Sequence, residues 1–209
     1  MTDNNGCTFC NREDIEEGLL FQTDNFFVRA AVRGAMAPGH VMVISKRHLS
    51  CYGAMPKSLD EEYAEAVDRV EYKVASSFSI PFLIEQGIHG QSIKHAHLHL
   101  VPLVSPWYDF RNTRLVDYVP QGIRVEEGRD INDLRRVFRE DGQYVAIEQY
   151  ETLNICRTKG FDGTFRSLRG IATEITGRTD LFDWKTVAPE VVEENKLWVV
   201  QTIDRLREK

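Results

Sequence analysis

The chain has 209 residues, 42% of them hydrophobic and 28% charged, with a formal net charge of -6. That length suffices for one core, and the composition excludes a disordered or fibrous chain. The negative balance argues against a protein that coats nucleic acid, and no apolar run reaches membrane-spanning length.

The opening MTDNNGC lacks the basic and apolar regions of a secretion signal, so a cytoplasmic home is expected. There the Cys7–Cys10 pair reads as half a metal site or two plain thiols, not a disulfide. NFFVRAAV, 25–32, predicts a strand. GHVMVIS, 39–45, predicts a second one, apolar throughout and therefore buried on both faces. Residues 58–78 predict a helix: Leu59, Tyr63, Val67, Val70 and Val74 recur at helical period, and Ser58 and Glu61 have capping-box spacing. FLIEQG, 82–87, and HAHLHLVP, 95–102, predict two more strands. Residues 105–125 predict a long ordered loop. A short helix from Asp130, strands over 144–148 and 152–157, a helix over 164–176 and a last helix from Pro189 follow, the last with Val192, Asn195, Val199, Ile203 and Leu206 along one face. This order implies an α+β fold, a mainly antiparallel sheet with a packed helix and a mostly helical C-terminal extension. Residues 1–110 are expected to form the catalytic domain and 111–209 an extension packed on it.

Side chains alternate faces along a strand, so His95, His97 and His99 project to one side, about 7 Å apart, while Ala96, Leu98 and Leu100 face the core. Three in-line imidazoles converge poorly on one tetrahedral ion. Nucleophilic chemistry at phosphorus fits better: one imidazole attacks and a neighbour supplies charge or a proton at the leaving oxygen. The plain alternative is a solvated strand, where Thr, Lys and Glu are the commoner choices.

The stretch GQSIKHAHLHLVP resembles the signature of the histidine triad superfamily, His-φ-His-φ-His-φ-φ with φ apolar. APGHVMVISKRH resembles the family's upstream segment. The resemblance covers about residues 5–105 and implies a nucleotide hydrolase acting on the α-phosphate of a dinucleoside polyphosphate or nucleoside phosphoramidate. His97 would attack and form a nucleotidyl-histidine intermediate. His99 would contact the phosphoryl oxygens or the bridging atom, and Gln91 and Ser92 would hold phosphate oxygens. A transferase or phosphorylase using the same histidine, or a nucleotide-binding sensor with little turnover, are the alternatives. Family precedent also implies a homodimer. Two positions depart from the family pattern: Val32 where many members carry Asp or Asn for ribose, and Leu103 where many carry Arg or Lys after the proline.

A branch of the superfamily uses an N-terminal CxxC, the histidine after the buried strand and the first triad histidine. Here these are Cys7, Cys10, His48 and His95, and the resemblance implies a structural zinc on them. Cys51 and Cys156 read as buried thiols. His40 reads as a hydrogen-bonded histidine at the core edge, and His89 sits in a turn near the triad. The pairs Arg111 with Arg114 and Arg166 with Arg169 are candidates to meet polyphosphate.

Overall fold

The structure is a computed structural model that describes residues 6–32, 34–106, 108–161, 170–171 and 189–207. The run VMVIS forms β3, Val41–Ser45, buried at every position as its lack of alternation predicts. On one side β3 pairs with β2, Phe26–Ala30, which carries β1, Leu19–Gln22, on its outer edge. On the other it pairs with the triad strand β5, His97–Pro102, and β5 with β4, Pro81–Gly87. After β5 comes a small hairpin, β6 Val104–Ser105 with β7 Tyr108–Asp109. Then follow β8, Arg124–Gly128, β9, Tyr144–Gln149, and β10, Thr152–Arg157. Strand β9 pairs with β4. The main sheet therefore continues past residue 110 in the order β1-β2-β3-β5-β4-β9-β10-β8, antiparallel throughout.

A short helix α1, Arg12–Glu16, precedes β1. One sheet face packs against three longer helices: α2, Asp60–Ser77, α3, Ile131–Asp141, and α4, Pro189–Leu206. Val67, Val70 and Val74 of α2 meet Val28, Val43, Leu98 and Leu100, while Leu134 and Val137 of α3 meet Tyr144 and Ile155. The opposite face is covered by the N-terminal arm through Phe9 and Ile15. Beside it lies the loop after β5, whose Phe110 and Leu115 sit on Phe82, Ile84 and Ile147. No helix among the described residues is long and apolar enough to cross a membrane.

Several local expectations shift. Lys57–Leu59 form a 3-10 turn, so Leu59 takes the N-cap of α2 with no side-chain bond; Ser58 lies inside that turn and the capping box does not form. Asp130 does cap α3, accepting from the Asn132 amide at 2.8 Å. In α4 the buried face holds Val191, Asn195, Trp198, Val199, Thr202 and Leu206, and Val192 is exposed. The turn of that face brings the Thr202 hydroxyl to accept from the Gly39 amide at 2.8 Å. Strands β1 and β8 carry no clear apolar alternation and were not expected. Most of 164–176, with Arg166, Arg169, Trp107 and Trp184, lies outside the described residues.

Candidate active site

His97 and His99 stand on the face opposite the three long helices, as the alternation requires, and Ala96, Leu98 and Leu100 point into the core. His97 is only 4% exposed. Its Nδ1 lies 2.6 Å from the His95 carbonyl oxygen. A carbonyl only accepts, so Nδ1 carries the proton and Nε2 keeps a bare lone pair. Burial lowers the His97 pKa, opposed by that backbone bond, so the ring is held neutral. Phe9 packs edge-on against it at 5.1 Å between centroids.

His99 has a different environment. The Met36 amide donates to His40 Nδ1 at 3.2 Å, which leaves the proton of a neutral His40 on Nε2. His40 Nε2 sits 3.0 Å from His99 Nδ1 and donates to it. A neutral His99 therefore carries its own proton on Nε2. The two neighbouring rings, 4.9 Å apart, present opposite functions on one surface: a lone pair on His97 and an N–H on His99. His40, expected as a core-edge histidine, is the residue that sets this difference.

The expected phosphate residues divide. The Gln91 amide nitrogen donates to the Ser50 carbonyl at 3.0 Å, and its buried oxygen has no partner among the described residues. Ser92 is exposed. Gln86 was not expected. In the β4–β5 ladder Ile84 faces His99 and Glu85 faces Leu98, so Gln86, one step further, lies beside His97 on the histidine face. It is 7% exposed, and its side-chain nitrogen has no hydrogen-bond partner among the described residues. A buried amide donor left open is costly unless a ligand or water meets it. The sequence signal was the parity of EQG against HAH across the turn.

Behind the triad, Glu85 is fully buried on the helix-side face. It accepts from the Tyr52 amide at 2.6 Å and from the Tyr144 hydroxyl at 2.5 Å, and that hydroxyl accepts from the Gly53 amide at 2.8 Å. This ties the segment after His48 to β4 and β9. The same segment receives Gln91 at Ser50 and the Ala96 amide at the Leu49 carbonyl, 2.7 Å away. Cys51 is buried beside this network and Cys156 in the opposite core, both with thiols pushed up to about 12 by desolvation. His89 stands 6.2 Å from the Phe161 ring.

Cys7, Cys10, His48 and His95 come together from three segments, their ligand atoms all within 4.8 Å of one another. Sulfur-to-nitrogen separations are 3.5 Å for Cys7–His95, 3.6 Å for Cys10–His95 and 3.2 Å for Cys10–His48. Edges of a zinc tetrahedron with bonds of about 2.0–2.3 Å are roughly 3.3–3.8 Å, so the donor set and spacing fit that ion. His95 presents Nδ1 to the cysteines, and its Nε2 donates to the Ser45 carbonyl at 2.7 Å, the outer hydrogen bond that orients a ligating imidazole. Burial, with His48 and His97 nearby, pushes His95 down to about 4 against the Ser45 bond, which keeps it in the neutral form a metal binds.

Residues 12–105 match the HIT domain family. None of the curated proteins searched matches the chain. Among solved structures, the chain is similar to a Hit-like protein involved in cell-cycle regulation from Bartonella henselae, at 18% identity over 47% of this chain and 81% of that one, TM-score 0.41. It is similar to a zinc-bound histidine triad family protein from Mycobacterium smegmatis, at 21% identity over 47% and 75%, TM-score 0.39. It is also similar to a hypothetical histidine triad nucleotide-binding protein from Sulfolobus tokodaii, at 22% identity over 64% and 90%, TM-score 0.41. The segment that matches the HIT domain family thus holds the whole triad signature, with His97 and His99 on β5 and His95 just before it.

Proposed function

We propose that the protein is a nucleotide hydrolase that attacks the α-phosphorus of a dinucleoside polyphosphate through a nucleotidyl-His97 intermediate. The observation that carries this reading is the bare Nε2 of His97 beside the N–H of His99. The His97 lone pair forms a bond to phosphorus as the bond to the bridging oxygen breaks, and the electron pair leaves with the polyphosphate. Water then attacks phosphorus, the electron pair of the P–N bond returns to Nε2, and the water proton passes to solvent. Gln86, Ser92 and the second amide hydrogen of Gln91 supply donors to the non-bridging oxygens.

The tautomer chain bears on the choice of leaving group. His99 Nδ1 is occupied by the His40 N–H, so His99 donates a hydrogen bond without holding a spare proton. A polyphosphate leaves as an anion and needs only that hydrogen bond. An amine leaving from a phosphoramidate needs a proton. This supports the polyphosphate over the phosphoramidate. Residues 1–110 carry the chemistry in this reading, with 111–209 packed on them. Zinc bound by Cys7, Cys10, His48 and His95 holds the arm to the sheet; all four positions are filled by protein, so its role is structural. A homodimer, which family precedent implies, is read by light scattering of the purified protein.

The test is incubation with a labelled dinucleoside tetraphosphate, with and without inorganic phosphate, beside a nucleoside phosphoramidate. Faster release of nucleoside monophosphate from the tetraphosphate is expected. Nucleoside diphosphate formed only with phosphate present would assign a phosphorylase instead. His97→Ala should lose about a thousandfold or more in rate while folding normally. Retention of more than about a hundredth of the rate would remove His97 as the nucleophile.

A further inference from the structure

On the histidine face, but across β4 and β9 from the triad, the loop after β7 and the β9–β10 hairpin enclose a second cleft of about 370 Å³. Its floor is Ile147 and Val116. Its walls include Arg111, Asn112, Arg114 and Tyr150. The volume lies in the range of small-ligand sites, roughly 300–1,000 Å³. Two arginines and no Asp or Glu line it, the arginines being paired from outside with Asp109 and Asp117.

The cleft is built, not incidental. The Gln149 side chain staples its loop wall: the oxygen accepts from the Leu115 amide at 3.1 Å and the nitrogen donates to the Thr113 carbonyl at 2.8 Å. The Tyr150 hydroxyl donates to the Arg111 carbonyl at 2.9 Å. Tyr150 and Glu151 have φ of 53° and 62°, two consecutive left-handed residues where such a turn favours Asn-Gly. Strain of that kind persists only where the surroundings impose it and clusters at ligand sites. Here it places an aromatic ring on the rim.

The donors around that ring are partly engaged. The Arg111 guanidinium is held in place by Asp109 through Nε and Nη2. Arg114 makes a long ion pair with Asp117, at 3.8 Å, and no side-chain hydrogen bond among the described residues. The Asn112 amide and Thr113 hydroxyl make none either. An apolar floor, an aromatic rim, two arginines only partly engaged by carboxylates and open neutral donors suit one ligand chemistry: an anionic phosphate attached to a planar or apolar body.

We propose that this cleft is a second ligand site, separate from the triad, for a phosphomonoester carried on a ring. The probes are AMP, inorganic phosphate and adenosine, titrated calorimetrically into wild-type protein, into Arg111→Ala/Arg114→Ala and into His97→Ala. Two AMP sites per chain are expected in wild type. The arginine variant should lose one, or bind there about tenfold or more weakly, with the melting temperature unchanged. His97→Ala should keep the cleft site. Asn112→Ala gives a second reading, with a smaller loss at the same site. Identical AMP binding by wild type and the arginine variant overturns the proposal. So does equal affinity for AMP and inorganic phosphate, because the ring would then contribute nothing. Loss of tetraphosphate turnover in wild type with the arginine-sensitive site intact would instead sink the catalytic reading alone.

Discussion

The N-terminal arm meets the triad region through four heteroatoms and one aromatic ring: Cys7, Cys10, His48 and His95 converge, and Phe9 packs on His97. The C-terminal extension meets it through backbone and buried polar groups: β9 lies beside β4 along its length, and Tyr144 reaches Glu85 behind the triad strand. With zinc bound as proposed, an anchor made largely through its four ligands is switchable by chelation. An anchor spread over a sheet ladder is not, and it fails only when the chain is cut or a buried partner is removed. The two attachments should therefore separate cleanly under perturbation.

Cutting the ladder has the largest expected effect. Truncation after residue 128 removes α3, β9, β10 and α4, strips the partner from β4, and uncovers Phe82 and Ile84 where they pack on Val145 and Ile147. The exposed edge and apolar face predict an aggregating fragment with no cooperative melt. A soluble, cooperatively folded fragment with wild-type activity would show that the extension is an accessory.

Breaking the arm costs less. Cys10→Ser, or chelation of the wild type, should lower metal content from about one zinc per chain to none and drop the melting temperature by about 10 °C, the scale of roughly 3 kcal/mol for a chain of this size. Turnover should fall less than in His97→Ala, because the ligand set does not touch the reacting atoms. Unchanged melting with no metal detected would remove the zinc and return Cys7 and Cys10 to plain thiols.

These two attachments were not equally legible in the chain. HAHLHLVP and VMVIS announce themselves, because a strict two-residue period or an unbroken apolar run has few other physical meanings. The arm's partners followed from resemblance, and nothing local in Cys7 or His48 requires their meeting. The extension's hold was hidden. Glu85 and Gln86 sit in a stretch whose charge and amide suggest a strand end, yet all seven residues of β4 are buried. A buried carboxylate demands donors, and those came from Tyr52 and Tyr144, distant in sequence. Strand β8 was missed because its edge position lets Arg124, Val125 and Glu127 face solvent. Trp198 and Thr202 displaced Val192 from the buried face of α4 because the helix docks on Ala30 and Gly39, a contact no helical period specifies.

Proton linkage probes the same buried network. Desolvation pushes Glu85 from 4.5 to about 7, against the lowering by its bonds to Tyr144 and Tyr52. Below pH 4.5 both the folded and the unfolded chain hold the proton. Between 4.5 and 7 only the folded chain does, so stability falls as pH rises, by about 3 kcal/mol in total, and levels off above 7. The nearby phenols of Tyr52, Tyr63 and Tyr144 and the Cys51 thiol are all raised and stay neutral through this window. Unfolding titrations of wild type and Glu85→Gln across pH 4.5–8 should therefore diverge, the wild type losing ground with rising pH. Parallel curves would mean that Glu85 does not titrate in that range.

The smallest expected effect is that of Tyr144→Phe. The ring stays, packed flat beside Gly87, where an added Cβ would stand 2.5 Å from a ring carbon. Only the hydroxyl goes, and with it the hydrogen bonds to Glu85 and from Gly53. Two buried groups left without partners cost about 1–3 kcal/mol, a fall of roughly 5 °C in melting temperature. Glu85→Leu removes the acceptor instead and leaves the Tyr52 amide unpaired. If the two residues act as one clamp on the 51–54 segment, the double variant should cost clearly less than the sum of the singles, since the second loss removes a bond already broken. Strict additivity would mean that the hydroxyl and the carboxylate act independently. Each would then hold the 51–54 segment without help from the other.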